Sequence, residues 1–294
     1  MSSKPTVLVT GASGVAGRAT CLLLHERGYT VKMADASAPP SELRELGDFV
    51  RCDTRTPADC REAVRGCDAV VHLAAWHCAH VPPVSDDTIW AVNTDGTYNV
   101  IQASREFGVK ALVYASSMAY GHGSVYSLTK VVGEEMARGF HHMTGAGVAL
   151  LRYHDFVPKP YLAFGEKLLR NGVDARDVAS SNASAVEAAL AGNLGVFRSI
   201  IHTDHKMPPE VVANFRDLGP DWCESHVTGA RDLMRKYNFD LPQRVEQHDL
   251  SEAKDKLGWT PQHNFLEFLR DLQTRDARGE DVRSLWAPGQ LPPQ

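Results

Sequence analysis

Short apolar runs alternate with amphipathic stretches along the first half of the chain. The apolar runs are rich in β-branched residues and predict strands at Thr6–Thr10, Thr30–Ala34, Asp48–Cys52, Ala69–Leu73, Ala111–Ser116 and Val148–Arg152. The stretches between them have helical periodicity and predict helices near Val15–Arg27, Ala58–Val64, Asp87–Phe107 and Tyr126–Met143. Because strands that are apolar on both faces need helices on both sides, the pattern predicts an α/β fold with a doubly wound parallel sheet.

The alternation ends after Arg152, where prolines separate short helices and loops. One strand-like run, Val196–His202, is a candidate for a strand that returns to the sheet. We therefore divide the chain into residues 1–152, which build the sheet, and residues 153–294, which we expect to serve mainly in substrate binding. This division follows from the rule that ligands bind at the carboxyl ends of parallel strands.

Charge and hydropathy narrow the classes of function. The 294 residues carry a formal net charge of −5 with acidic and basic residues interspersed, so the chain has no signature of nucleic-acid or membrane-surface binding. The first apolar run is too short for a signal peptide, and no uninterrupted apolar stretch reaches the length of a membrane span. We therefore expect a cytoplasmic protein with a small-molecule substrate.

The cysteine and histidine spacings give no indication of a metal site. The six cysteines contain no Cys-x-x-Cys pair, which favours reduced thiols in a cytoplasmic protein. Two histidine pairs, His141 with His142 and His202 with His205, lack a third ligand at a suitable spacing. We therefore expect no bound metal and interpret these histidines as core or surface residues.

A glycine-rich turn joins the first predicted strand to the first predicted helix. Gly11 permits a tight turn, Gly14 lets the backbone approach a pyrophosphate, and Gly17 lets the helix pack closely on the sheet. The helix N-terminus adds free N–H groups and a positive dipole for phosphates. With Asp35 at the end of the second strand, the arrangement predicts a Rossmann-type dinucleotide-binding fold.

Asp35 bears on the choice between NAD and NADP. Its carboxylate is placed to accept hydrogen bonds from the adenosine ribose hydroxyls, and it would repel a 2′-phosphate. The next residue, Ala36, supplies no cation to compensate. These points favour NAD, although Arg18 in the first helix leaves NADP open.

Tyr126 and Lys130 lie four residues apart in a predicted helix and therefore share one of its faces. Ser116 and Ser117 lie at the end of the fifth predicted strand. Hydride transfer to or from an alcohol needs a proton donor or acceptor, and a free tyrosine with a pKa of about 10 is a poor base near neutral pH. We expect the neighbouring ammonium group to lower that pKa while a serine holds the substrate oxygen.

Seven short motifs follow one another in the order seen in extended short-chain dehydrogenases/reductases, and the chain most resembles their NAD-dependent epimerase/dehydratase branch. The motifs are Thr10–Gly17, Asp35, Asp53, His72–Ala75, Asn93–Thr97, Ser116–Gly121 and Tyr126–Lys130. A weaker likeness continues through Val173–Asp177 and Leu257–Pro261.

The resemblance implies roles for individual residues. Tyr126 would be the catalytic acid/base, and Lys130 would also hold the nicotinamide ribose. Ser116 would take the catalytic serine position, with its neighbour Ser117 in reserve. Asn93 is interpreted as a structural helix residue in preference to a proton relay. The implied cofactor contacts are Gly11, Ser13, Gly14, Val15, Gly17, Asp35, Asp53, Thr54, Leu73, Ala74, Ala75, Tyr126 and Lys130.

Two segments depart from the family pattern. The loop from Gly121 to Tyr126 is much shorter than in extended members, so we expect a differently shaped substrate pocket. After the sixth strand, Asp155 stands at or near an asparagine that often contacts the diphosphate of a nucleotide sugar, and a carboxylate there would repel that group. The candidate substrate-binding residues are Trp76, Ser117, His122, His154 and Asp155.

The sequence thus predicts an NAD-dependent oxidoreductase, either an epimerase or a dehydrogenase, acting on a hydroxyl or keto carbon of a sugar-like or nucleotide-sugar substrate. Dehydration ranks lower because no acid/base pair accompanies Ser116. The resemblance also implies a homodimer in which the helices Asp87–Phe107 and Tyr126–Met143 pair across a two-fold axis. The alternative is a non-catalytic NAD(P)-binding sensor, although such proteins tend to lose the tyrosine and lysine that this chain keeps.

Overall fold

The computed structural model describes residues 4–78, 80 and 82–290 of the chain. Its framework is a seven-stranded sheet in which every neighbouring pair of strands is parallel, in the order β3-β2-β1-β4-β5-β6-β7. The order reverses between β1 and β4, the place where open α/β sheets bind ligands. The strands are β1 (Thr6–Thr10), β2 (Thr30–Asp35), β3 (Gly47–Arg51), β4 (Ala69–His72), β5 (Ala111–Ser117), β6 (Gly147–Tyr153) and β7 (Val196–Ile201).

Helices follow most of the strands and then dominate the second half of the described chain. They are α1 (Val15–Glu26), α2 (Pro57–Val64), α3 (Asp86–Trp90), α4 (Gly96–Glu106), α5 (Val125–Thr144), α6 (Tyr161–Leu168), α7 (Ala175–Leu190), α8 (Pro209–Ala213), α9 (Phe215–His226), α10 (Ala230–Lys236), α11 (Ser251–Leu257) and α12 (Phe265–Ala277). None of them combines the length and the hydropathy that crossing a bilayer requires, as far as the described residues go.

Alternate residues of each strand supply two separate cores. Val7 and Val9 of β1 belong to the core under helices α1, α7 and α11, whereas Leu8 belongs to the core under α2, α4 and α5. All three side chains are fully buried, as the period of two requires in a sheet covered on both faces. Each such side chain contributes about 1.5–3 kcal/mol relative to an exposed position.

The doubly wound parallel sheet is confirmed. The six strands predicted in the first half are present, with ends within one residue of the predicted ones. The candidate strand Val196–His202 joins the sheet as β7, which pairs with β6 and ends one residue earlier than predicted. Helix α7 packs against α1, so the layered sheet extends past residue 152.

The helix predicted over Asp87–Phe107 is present, with a π-helical turn inside it. The chain is helical from α3 through a wider π-helical turn at Ala91–Asp95 to α4 without a break. Asn93 in this turn accepts a hydrogen bond from the Trp76 N–H over 2.8 Å and donates to the Trp76 carbonyl over 2.9 Å. These bonds tie the wide turn to the segment after β4.

The helices of the second half build a core of their own. Side chains from α6, α9, α10 and α12 pack together around Phe215, Phe265 and Phe268. This core lies apart from the two cores that cover the sheet.

Candidate active site

Backbone packing at the turn after β1 leaves room only for glycine at two positions. Gly11 has a φ of +68°, and a Cβ there would lie 2.8 Å from the Ala74 nitrogen. A Cβ on Gly17 would lie 2.7 Å from the Ala12 Cα. Helix α1 follows Gly14 without a side-chain cap, so its first N–H groups are open to an external anion. The turn therefore fits the pyrophosphate of a dinucleotide.

The Asp35 carboxylate lies beside this turn. It accepts hydrogen bonds from the Ser13 N–H over 2.9 Å and from the Ser37 N–H over 2.8 Å. Two backbone donors thus orient the carboxylate, and its other lone pairs are available to donors such as ribose hydroxyls. Arg18, the cation that left NADP open, is ion-paired with Glu42.

Asp53 and Thr54 follow β3 at the same edge of the sheet. The Arg55 guanidinium donates to the Asp53 carboxylate over 2.9 Å, and this bond holds the pKa of Asp53 below its usual value. Thr54 is buried, and a Cβ on Gly96 would lie 2.5 Å from its hydroxyl oxygen. Contact of these two residues with the adenosine part of a cofactor stays a prediction.

His72, at the end of β4, joins two strands and a helix. Its Nε2 lies 3.0 Å from the Thr97 hydroxyl, which itself donates to the Asn93 carbonyl over 2.6 Å. Thr97 must then accept from His72, so the Nδ1 of His72 accepts from the Thr10 hydroxyl, over 2.7 Å. The Ala74 N–H donates to the same Thr10 oxygen. Burial lowers the pKa of His72 to about 3, which keeps the ring neutral, as this network requires.

Tyr126 and Lys130 share the face of α5 that packs on the end of β5. Both side chains are buried. The Lys130 Nζ donates to the Ala115 carbonyl over 2.9 Å and lies 5.5 Å from the centre of the Tyr126 ring. The Ser117 side chain interacts with the Tyr126 phenol and lowers its pKa, against a larger opposite effect of burial. The structure therefore brings a serine, the tyrosine and the lysine together.

Burial dominates the acidity of this group. It raises the pKa of Tyr126 to about 12, although the interaction with Ser117 acts in the opposite direction. It also lowers the pKa of Lys130 to about 8. Burial is thus the largest effect on the acidity of both groups, and the lowering of the tyrosine pKa by Lys130 stays a prediction. The Tyr126 phenol is protonated at neutral pH.

Ser116, the predicted catalytic serine, is bonded elsewhere. Its hydroxyl donates to the Glu134 Oε1 over 2.6 Å. Glu134 is fully buried and accepts two further bonds from the Arg152 guanidinium, at 2.7 and 2.9 Å. Arg152 stacks on the Tyr120 ring at 3.6 Å. Because a buried carboxylate needs donors, the Ser116 hydroxyl is committed to Glu134, and Ser117 takes the position beside the tyrosine.

The segment after β4 packs against the tyrosine. The rings of His77 and Tyr126 meet edge to face with 4.3 Å between their centres. Trp76, the residue before His77, is partly buried, and the centre of its ring lies 4.6 Å from that of the His80 ring. Trp76 thus lies next to His77 in the chain, and its role as a pocket wall stays a prediction. His122 lies exposed on the turn after β5, and its described contacts do not reach Tyr126.

The loop after β6 holds the two remaining substrate candidates. The Asp155 carboxylate pairs with Lys159 at 3.3 Å and with Lys167 at 3.8 Å. These ammonium groups offset its charge, so Asp155 would repel a diphosphate less than the sequence alone predicts. His154 is buried, with its ring 4.2 Å from that of His202, and thus belongs to a histidine cluster.

Sequence reasoning missed Glu134 and His77. Glu134 lies four residues after Lys130 and shares its helix face, a spacing that could have marked it as a partner for groups at the end of β5. His77 follows the fourth strand at the carboxyl edge of the sheet, where ligands bind, and that position could have marked it as well.

Comparison with known proteins relates the chain to one family. Residues 7–204 match the family model described as the NAD dependent epimerase/dehydratase family. The chain is 35% identical over 115 residues to short-chain dehydrogenase/reductase family 42E member 1 of Xenopus laevis, covering 39% of this chain and 30% of that protein. It is 32% identical over 193 residues to 2-alkyl-3-oxoalkanoate reductase of Stenotrophomonas maltophilia (strain K279a), covering 64% and 50%. The matched stretches thus span half or less of these relatives.

Solved structures share the fold over nearly the whole chain. A UDP-galactose 4-epimerase superposes with a TM-score of 0.66 at 19% identity, covering 93% of this chain and 99% of that one. A short-chain dehydrogenase/reductase superfamily protein from Agrobacterium tumefaciens with bound NAD superposes with a TM-score of 0.69 at 20% identity, covering 93% of this chain and 98% of that one. Uronate dehydrogenase from the same organism superposes with a TM-score of 0.63 at 23% identity, covering 93% of this chain and 90% of that one. At these identities the likeness shows the fold alone.

Proposed function

Because the chain belongs to the NAD dependent epimerase/dehydratase family, we propose that it is an NAD-dependent oxidoreductase that interconverts a hydroxyl and a keto group. The observation that carries this proposal is the buried group of Ser117, Tyr126 and Lys130. It combines a hydrogen-bonding hydroxyl, a proton donor and a cation, which reversible alcohol oxidation requires.

The turn after β1 and the Asp35 carboxylate would hold the cofactor. Bound there, the nicotinamide supplies or accepts the hydride. The ion pair between Arg18 and Glu42 supports NAD over NADP, because this cation is already neutralised. The other cofactor contacts in the proposal are Ser13, Val15, Asp53, Thr54, Leu73, Ala74 and Ala75.

Each residue of the catalytic group has one task. The Tyr126 phenol donates its proton to the carbonyl oxygen during reduction and takes it back from the hydroxyl during oxidation. The Ser117 hydroxyl donates a hydrogen bond to the same substrate oxygen. Lys130, fixed by the Ala115 carbonyl, places a positive charge near the phenolate that forms when the proton leaves. The assignment of the serine role to Ser117 replaces that of Ser116.

We favour the reductive direction, and so a dehydrogenase over an epimerase. The likeness to a 2-alkyl-3-oxoalkanoate reductase supports this direction. The first substrate class in the proposal is a sugar-like or nucleotide-sugar keto or hydroxyl carbon, with which the lysines around Asp155 are compatible. A 3-oxo acid is the second class, supported by the same relative.

Identifying the nucleotide bound to the purified protein tests whether the cofactor is retained through the catalytic cycle. The protein is denatured and any released nucleotide is identified by chromatography and mass spectrometry. Little bound nucleotide, followed by NADH oxidation with keto sugars or 3-oxo acids, supports a reductase. Stoichiometric NAD or NADH that survives turnover would instead indicate an epimerase. NAD binding with no turnover in any class, and full cellular activity of Tyr126→Phe, would support the sensor alternative.

Exposed apolar side chains on two helical segments support a homodimer. Trp90 and Tyr98, at the end of α3 and in α4, are 38% and 53% exposed, and Leu128 and Met143 of α5 are 49% and 52% exposed. Pairing of these faces across a two-fold axis would bury them. Light scattering should show a dimer mass that Leu128→Glu reduces to the monomer. Leu218→Glu, at a similarly exposed leucine on α9, is the matched control.

The state of the cysteines supports a cytoplasmic location. All six are free thiols, and only Cys78 among them is exposed. Unpaired thiols are usual where the compartment is reducing. Thiol titration of protein purified under air without reductant should find all six thiols after denaturation.

A further inference from the structure

Three side chains from two distant parts of the chain converge at the carboxyl end of β6. His154 follows this strand directly, and His248, its partner in the cluster, is 94 residues away in the sequence. The Nε2 atoms of these two histidines are 3.0 Å apart. The Glu246 Oε1 lies 3.2 Å from the His248 Nε2 and 3.8 Å from the His154 Nε2.

Hydrogen bonds alone do not satisfy these three atoms. A proton on the His248 Nε2 serves either the Glu246 carboxylate or the His154 ring, and not both at good geometry. A proton on the His154 Nε2 leaves the His248 lone pair facing a carboxylate lone pair at 3.2 Å. The other His154 ring nitrogen, Nδ1, is buried without a hydrogen-bond partner, so hydrogen bonds leave this ring incompletely satisfied whichever nitrogen carries the proton. A cation between the three atoms would use all three lone pairs.

The spacing of the three atoms fits a small divalent ion. Tetrahedral zinc with bonds of about 2.0–2.1 Å places its ligand atoms about 3.3–3.4 Å from one another. The observed separations of 3.0, 3.2 and 3.8 Å bracket that value. Two imidazoles and one carboxylate are a ligand set that zinc and non-haem iron both use, with further positions left open.

We propose that His154, Glu246 and His248 bind a divalent transition-metal ion of the zinc class. The backbone of the ligands is held in place, since the His154 N–H donates to the Ile201 carbonyl over 3.2 Å and the Glu246 N–H donates to the Leu169 carbonyl over 3.1 Å. The ion lies at the same edge of the sheet as Ser117, whose register partner is the residue before His154.

His202 supports this site without being a ligand. Its ring lies 4.2 Å from the His154 ring and 5.1 Å from the His248 ring. Its two ring nitrogens face the carbonyls of Thr203 at 2.9 Å and Arg170 at 3.1 Å, so neither is directed at the proposed ion. The ring therefore packs the buried ligand His154 into position.

One of the three ligands, His248, lines a cleft. This cleft of about 640 Å³ is also lined by Asp204, Lys206 and Lys254. A fourth ligand of the proposed ion would be a water molecule or an anionic group that reaches it past His248. An ion held by three protein ligands with one position open has the arrangement of catalytic zinc sites.

Zinc binding by protein without a histidine tag tests the proposal. The protein is dialysed against a chelator, and Zn²⁺ is titrated in calorimetrically and quantified by mass spectrometry. One ion per chain is expected, and Co²⁺ in its place should give the intense visible absorption of a tetrahedral site. His248→Ala and Glu246→Gln, at partly exposed positions, should each weaken Zn²⁺ binding by at least about tenfold.

Two controls separate this site from other ligands. His226→Ala removes an exposed histidine outside the cluster, and Cys78→Ser removes the exposed thiol; both should leave Zn²⁺ binding unchanged. Circular dichroism confirms that each variant is folded. Absence of a stoichiometric ion in the wild type, or unchanged affinity in folded His248→Ala and Glu246→Gln, would overturn the proposal. The readout is independent of NAD and of turnover, so the proposed redox function can fail while the metal site stands.

Discussion

Ser116 and Glu134 form a hydrogen bond of 2.6 Å in the interior of the protein. Glu134 lies eight residues beyond Tyr126 on α5, about 12 Å along the helix axis. The neighbouring side chain, that of Ser117, is the one that interacts with the Tyr126 phenol and lowers its pKa. Adjacent serines therefore have different partners, one in a buried ion-pair network and one in the catalytic group.

Substitution of the two serines should separate these roles. Ser117→Ala should lower kcat by about 10²–10³-fold, because the substrate oxygen loses a donor. Its loss of stability should be smaller than that of Ser116→Ala, because only the partly buried Ala119 N–H loses its acceptor. Ser116→Ala should keep most of its turnover but lower the free energy of unfolding by about 1–3 kcal/mol, because a buried carboxylate loses a donor. Steady-state kinetics and urea unfolding measure both effects. A Ser116→Ala variant without turnover beside an active Ser117→Ala would reverse the assignment.

The buried, charged Lys130 should make the folded protein less stable at neutral pH. Burial lowers its pKa in the folded protein from 10.5 to about 8, so the unfolded chain binds more protons between these values. The free energy of unfolding of the wild type should therefore rise, relative to Lys130→Met, as the pH increases from about 8 to 10.5. The relative gain should be on the order of 3 kcal/mol.

Urea unfolding of both proteins across this pH range measures the difference, which cancels most other titrations. Lys130→Met should also lose turnover, since the charge beside the phenolate is gone. Parallel stability curves for the two proteins would contradict burial of a charged lysine.

His72 should make the protein sensitive to acid. Its folded-state pKa of about 3 lies below the ordinary 6.5, so the unfolded chain binds the extra proton between these values. This residue therefore contributes stability above pH 6.5 that is lost as the pH falls, by about 1.4 kcal/mol per pH unit. His72→Gln should show a shallower decline of unfolding free energy with acid than the wild type. His25→Gln, which removes an exposed imidazole, is the matched control, and equal slopes in the wild type and His72→Gln would contradict the prediction.

Asp35 should control the choice of cofactor. Asp35→Ala removes the proposed ribose acceptor and the repulsion toward a 2′-phosphate, so we expect about tenfold weaker NAD binding and a smaller preference over NADP. Fluorescence titration with both nucleotides measures this change. Asp48→Ala, which removes an exposed carboxylate on the neighbouring strand β3, should leave both affinities unchanged. Unaltered NAD and NADP affinities in Asp35→Ala would place the ribose elsewhere.

The sheet was predictable because its signal is local. Runs such as Thr6–Thr10 consist of apolar and β-branched residues, and Gly11, which follows this run, has a conformation that only glycine adopts easily. The π-helical turn inside the helix was not predictable, since the turn around Asn93 coincides with bonds to Trp76, which is distant in the sequence.

The proximity of Tyr126 and Lys130 was predictable, because two residues four apart in a helix share one of its faces. The choice between Ser116 and Ser117 depends on Glu134 and its pairing with Arg152, which no spacing near the serines reveals. The tyrosine pKa depends on burial, which the sequence does not report. The histidine cluster was not predicted either, because its members are distant in the sequence and meet only in the folded chain.

Hydride transfer by Tyr126→Phe tests the central claim most directly. Phenylalanine keeps the ring against His77 and removes only the hydroxyl that donates the proton. With NADH and the ketone that the wild type reduces, the account predicts a loss of kcat of at least about 10²–10⁴-fold with NAD affinity unchanged. Turnover by Tyr126→Phe at the wild-type rate would contradict it, because the proton would then come from another group.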